Sequence, residues 1–205
     1  MFDFLFSPLF LLFARICVGG VFVASGIGKF LDRPGTEAGM AHYLFLPRGS
    51  GKLIATFFPP LELAVGLCLV FGLLTRLAAF GAILLSALFT SLIIYDLARG
   101  RTESCHCFGK LSSEKLTPMA AIRNVFLMVL ALLVLLGFDG WLAVDGTLSG
   151  GSPSFLLARA QPATVPDAAN VVPVVLLSLV AVIVIVFGGQ AVSMVRNTLR
   201  SMGFQ

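Results

Sequence analysis

Long stretches without Asp, Glu, Lys or Arg dominate the chain. Residues 4–14 and 16–28 are interrupted only by Arg15, residues 63–75 and 77–95 flank Arg76, and residues 124–138 and 168–195 form two further runs. A helix needs roughly 20 largely apolar residues to cross a bilayer. None of these runs alternates apolar and polar positions as a half-buried strand would. The pattern predicts five helices, near residues 5–30, 54–74, 77–97, 119–138 and 171–191. Lipid offers no partners to backbone N–H and C=O groups, so only helices and closed barrels span it. The expected fold is an all-α integral membrane protein: a four-helix transmembrane bundle plus an additional C-terminal transmembrane helix. The expected organisation is a core over residues 1–138, a Gly-, Ser- and Pro-rich loop over 139–170, and a fifth helix with a short basic tail over 171–205.

The polar breaks between runs are uneven. The turn around Thr75–Arg76 is short, so the second and third helices should form an antiparallel hairpin. Residues 31–53 read as a polar connection with Pro34, Gly35, Pro47, Gly49 and Gly51. Pro59–Pro60 should break the first turns of the second helix and free carbonyls beside Glu62. Gly19, Gly20, Ser25, Gly26 and Gly28 give the first helix small positions for close helix approach, with a bend expected near Gly26 and Gly28.

Composition agrees. Hydrophobic residues make up 58% of the 205 positions and charged residues 12%, against about 25% charged in soluble domains. This excludes a disordered chain and a disulfide-rich secreted domain. No Lys or Arg precedes Arg15, so the first helix should be retained rather than cleaved as a signal peptide. With five spans, eleven Lys and Arg fall on one side and only Arg76 and Arg159 on the other. The positive-inside rule then places the N-terminus outside and the C-terminus in the cytoplasm. The net charge of +4 thus reads as topology, not as a nucleic-acid surface.

Cys105-His106-Cys107-Phe108-Gly109 is the chemically richest stretch. Three readings are open. Two thiols one residue apart can cycle between dithiol and a tight, easily reduced disulfide. Arg99, Arg101, Lys110 and Arg123 nearby would favour the attacking thiolate. Cys, His and Cys also supply three metal donors, one short of a closed zinc site. Alternatively, the thiols are inert loop residues. Cys17 and Cys68 fall inside helices at depths of about 18 and 9 Å, counted at 1.5 Å per residue. A disulfide between them would be strained, and both read as small apolar side chains.

Arg15 and Glu62 are the ionisable residues deepest in the expected spans. The same count puts them about 15 and 18 Å from one face, so an ion pair between the first two helices is expected. It reads as a structural clamp, with a polar element of a quinone or proton site as the sharper alternative.

Residues 11–138 resemble the DoxX/MauE-type membrane proteins, the MauE branch most closely. The resemblance rests on Arg15 and Gly19, Ser25-Gly26-x-x-Lys29, Tyr43-x-x-x-Pro47, Pro60-x-Glu62, Gly66, the Gly72–Arg76 turn, Cys105-x-Cys107-Phe108-Gly109 and Arg123-Asn124. It implies a four-helix bundle in the cytoplasmic (inner) membrane of a prokaryote. It also implies thiol–disulfide chemistry beside a thioredoxin-like partner, with quinone as a cofactor of some relatives. On that resemblance Cys105 and Cys107 are the redox pair, tuned by His106, and Arg15 and Glu62 are buried polar residues and candidate quinone contacts. The resemblance suggests an extracytoplasmic partner, whereas loop charge puts Cys105 and Cys107 in the cytoplasm. The competing reading is a non-catalytic accessory subunit of a larger respiratory or photosynthetic membrane complex. It draws on the fifth helix, which the resemblance does not cover.

Overall fold

A computed structural model describes residues 5–41, 50–100, 118–137 and 168–201. Five long helices and one short helix, with no strand among the described residues, make an all-α membrane protein. They are α1 (Pro8–Leu31), α2 (Arg33–Ala41), α3 (Ser50–Phe71), α4 (Thr75–Ala98), α5 (Pro118–Gly137) and α6 (Ala168–Ser201). The segment carrying Cys105, His106 and Cys107, and residues 139–167 of the expected loop, lie outside the described residues, while residues 168–170 already belong to α6.

Local chemistry sets the boundaries. The Ser7 hydroxyl accepts from the Phe10 N–H at 3.3 Å and Pro8 opens the helix, so α1 starts with its orphan donors partly satisfied. At the end of α3, Gly72 takes a left-handed φ of 69°. Its N–H and that of Leu73 close back onto the Leu69 and Cys68 carbonyls at 3.3 and 2.8 Å, a Schellman closure that stops the helix. Leu74, also left-handed at φ 46°, then turns the chain into α4. The expected hairpin is thus made in three residues.

Residues 31–53 are not simply a polar connection. Asp32 caps a new helix, accepting from the Gly35 N–H at 3.2 Å while its carbonyl takes the Thr36 hydroxyl at 2.9 Å. Asp followed two residues later by Pro is a helix-start signal, masked in the sequence by the surrounding Gly and Pro. Pro59 and Pro60 also do not break α3, which runs continuously through them. Membrane helices tolerate proline because neighbours hold the freed backbone in place, and here α3 is packed along α1 and against α2 and α4. The first helix runs through Gly26 and Gly28 to Leu31, within a residue of its expected end.

The helices α1, α3, α4 and α5 form a ring, each packed on the next, and α6 lies against α1 from outside. Successive contacts show α1 antiparallel to α3: Gly19 meets Gly66, and Gly26 meets Pro59 and Leu63. Gly137, closing α5, meets Phe6 and Leu11 near the start of α1. The first end of the bundle therefore holds the start of α1, the α3–α4 turn and the end of α5. The second end holds the ends of α1 and α4 and the start of α5.

Two adjacent glycines let α1 serve as the hub. A Cβ on Gly19 would lie 2.8 Å from the Gly66 carbonyl of α3, and one on Gly20 would lie 2.8 Å from Val182 of α6. Small positions permit this approach, and dispersion contacts hold helices together where lipid removes the hydrophobic drive. The core around them is built from Ala14, Cys17, Val18, Leu69, Ala79, Ala82 and Val134. Outward faces carry Leu77, Phe80, Leu84, Leu132, Leu176 and Ile183, exposed as a lipid-facing surface requires. Arg123 of α5 adds a polar tie, donating from Nη1 to the Ile185 carbonyl of α6 at 3.4 Å.

Replacing Gly66 by Val should separate α1 from α3 and lower the thermal unfolding midpoint in detergent by several degrees. Overpacking of this kind costs about 1–3 kcal/mol. Gly20→Leu should instead loosen α6 alone, read as increased proteolysis of α6 with the remaining bundle intact.

Candidate functional site

The expected ion pair of Arg15 with Glu62 is replaced by another. Glu62 is wholly buried, at 0% exposure, and its two oxygens are held by α1. Oε2 accepts from the Ser25 hydroxyl at 2.8 Å, and Oε1 pairs with the Lys29 ammonium. Lys29 is itself buried, at 2% exposure. Its Nζ sits 4.0 Å from the centroid of Phe89 on α4, and Phe58 of α3 meets the same ring edge-on at 6.1 Å.

Ser25 and Lys29 are four residues apart, so they share one face of α1. Glu62 lies one helical turn before Gly66, on the face where α3 approaches closest. The glycine contacts bring the backbones near enough for a short serine to reach the carboxylate. Beyond the cluster, α3 projects past the end of α1. The short helix α2 packs there against α3 and α1, with Thr36 buried at the contact. Phe89, with Phe58 against it, covers the Lys29 side of the cluster.

Arg15 misses this site for a reason of register. It is ten residues, or about 15 Å, from Ser25 along α1, toward the first end. The depth count takes the start of the first helix and the end of the second as level, whereas Gly19 lies against Gly66 and Val70, so α3 ends at Phe71 well short of the level at which α1 begins at Pro8. Arg15 is buried within the bundle at 4% exposure, but it does not share a site with Glu62. The two expected quinone contacts therefore do not converge.

Lys29 was assigned to the charged loops, and the sequence reading missed it as the partner of Glu62. The signal was present: Ser25-Gly26-x-x-Lys29 places a hydroxyl, a gap and a cation on one face, opposite an acid that must be compensated. Lys29, buried, and Arg123, half-buried, are held within the bundle, which leaves nine of the eleven basic residues that the loop count assigns to one side.

A buried carboxylate is costly in a bilayer: about 2.5–3.5 kcal/mol by insertion measurements for an acid at a helix centre. A cation, a hydroxyl and a π face together lower that cost by answering most of its lone pairs and charge. What the arrangement does chemically is fix α1, α3 and α4 at one level. Cys17 is buried in the core and Cys68 half-buried against it; both are free thiols.

A family model described as methylamine utilisation protein MauE matches residues 7–137. A protein of Paracoccus denitrificans named methylamine utilization protein MauE is 29% identical over 157 residues, covering 76% of this chain and 83% of that protein. No solved structure matches. The match takes in α1 to α5, and with them Ser25, Lys29, Glu62, Phe89 and the Cys105–Cys107 segment; α6 lies beyond it.

Removing one partner of a buried pair costs about 3–5 kcal/mol, whereas an apolar replacement of both is often neutral. Glu62→Ala should therefore lower the unfolding midpoint sharply, and Lys29→Met with Glu62→Leu should restore it to near the original. Thermal unfolding in detergent, followed by circular dichroism, reads both.

Proposed function

This chain belongs to the MauE family, and on that premise we propose that it is a membrane accessory protein of a methylamine-utilisation type of system, working by thiol–disulfide exchange at Cys105 and Cys107. The observation that supports the reading is the placement of the helices on either side of that segment. The end of α4 and the start of α5, which flank it in the chain, are packed side by side at the second end of the bundle. A Cys-x-Cys pair is thereby tethered at both sides to one membrane face, while Cys17 and Cys68 are kept within the bundle.

The chemistry balances with a thioredoxin-like partner as reductant. One cysteine thiolate attacks a disulfide of a client protein, breaking its S–S bond and forming a mixed disulfide. The second cysteine attacks that bond, releasing the client as a dithiol and leaving Cys105 joined to Cys107. Two electrons have moved to the client. The thioredoxin-like dithiol then reduces the pair and is itself oxidised. His106, between the two thiols, tunes the thiolate. The tight ring closed across one residue favours return to the dithiol.

Loop charge supports the second end as the cytoplasmic one in a prokaryotic inner membrane, since nine basic residues flank it. A reducing cytosol would hold the pair ready as dithiol.

Thiol labelling with a membrane-impermeant reagent, in intact cells and in inverted vesicles, tests both parts. Cys105 and Cys107 should label in inverted vesicles, and labelling should fall after mild oxidation and return after reduction. Replacing the resolving cysteine by Ser should accumulate a mixed disulfide visible on a non-reducing gel. Thiols that label equally before and after oxidant would sink the exchange reading and leave a non-catalytic accessory subunit. Labelling from intact cells would reverse the orientation and leave the chemistry standing.

A further inference from the structure

The helix α3 carries three features that oppose stable insertion. Pro59 and Pro60 sit inside it and each removes a backbone hydrogen bond, and Glu62 follows within the same apolar stretch, Ala55–Phe71. By contrast, α4, α5 and the Val171–Gly188 part of α6 are each long and apolar enough to cross a membrane, with mean hydropathies of 2.4, 2.4 and 3.1, whereas the apolar stretch of α3 is shorter. What α3 lacks alone, α1 supplies: Lys29 and Ser25 on both carboxylate oxygens, and Gly19 and Gly26 where the α3 backbone approaches. The cation is also positioned for α4 through Phe89.

We propose that α3 is retained as a membrane span by the Ser25–Lys29 grip on Glu62, and that this grip thereby sets the side of the membrane on which Cys105 and Cys107 emerge. The topology makes the consequence specific. If α3 stays at the second end, the Gly72–Leu74 turn stays there too. The apolar helix α4 then crosses in the opposite direction, and the segment after it emerges at the first end. Lys29, Ser25 and Glu62 are in this sense positioning residues for the cysteine pair, acting through helix insertion and at a distance from the sulfur atoms. The inference does not depend on thiol exchange, because its readout is sidedness.

The test uses full-length protein synthesised into inner-membrane vesicles, so that later degradation does not enter. Leu73, 37% exposed in the turn at the first end, is changed to Cys as a reporter in a chain with Cys105→Ser and Cys107→Ser. A parallel chain keeps the native Cys105 and Cys107. Impermeant maleimide is added to sealed and to opened vesicles. In the parent the turn and the native pair should label from opposite sides. With Lys29→Ala, most molecules should show both reporters exchanged in side. With Lys29→Ala and Glu62→Leu together, the parental sidedness should return, because α3 no longer carries an acid. Parental labelling in Lys29→Ala alone overturns the proposal. So does exchange that Glu62→Leu fails to reverse, since Lys29 would then act on something other than Glu62.

Discussion

The arrangement depends on a carboxylate that has no water. Glu62 is enclosed in the bundle, and the groups that answer its charge come from another helix. For Ser25 to reach Oε2 at 2.8 Å, α1 and α3 must approach at the distance that Gly19, Gly26 and Gly66 permit. Lys29 is buried with the Phe89 ring of α4 lying over its ammonium. A buried ion pair is not in itself a strong source of stability. Its consequence is register: a shift of α3 along α1 would part Glu62 from Lys29 and leave a buried charge alone.

The same geometry explains why α1 is the hub. In lipid, apolar side chains gain little by leaving the solvent, so contact area and polar complementarity decide which helices associate. The first helix has small residues on adjacent faces, which admits α3 at Gly19 and α6 at Gly20. It also brings the two cations that are buried among the described residues, Arg15 and Lys29. The other spans present one packed stripe inward and a broad apolar face to lipid. The sixth helix is the extreme case, with Ser178 and Val186 buried and Leu176, Leu177, Ile183 and Val184 outside. Together these helices form the bundle, and the chain leaves it after α4 and re-enters it at α5 on either side of the Cys105–Cys107 segment.

Much of this was legible in the residues. Charge-free runs marked the long helices, because a bilayer permits few charges and no unpaired backbone. The Ser25-Gly26-x-x-Lys29, Pro60-x-Glu62 and Cys105-x-Cys107-Phe108-Gly109 elements pointed to the MauE family, and the family match agrees. The short helix α2 was missed because Pro34 and Gly35 read as loop residues while Asp32 in fact caps a turn. The prolines of α3 were misread because propensity treats the helix as isolated, and a packed membrane helix is not.

Composition and hydropathy by themselves determined the class of the protein, the long helices and their order, because solvation in lipid acts on each segment separately. They also identified Glu62 as a residue needing a partner. Which partner it takes was decided only in the tertiary structure. Both Arg15 and Lys29 lie on α1, and the choice turns on the register between two helices. That register is set by where Gly19 and Gly66 let the backbones touch, a contact 47 positions apart in the chain. No local property of either helix contains it.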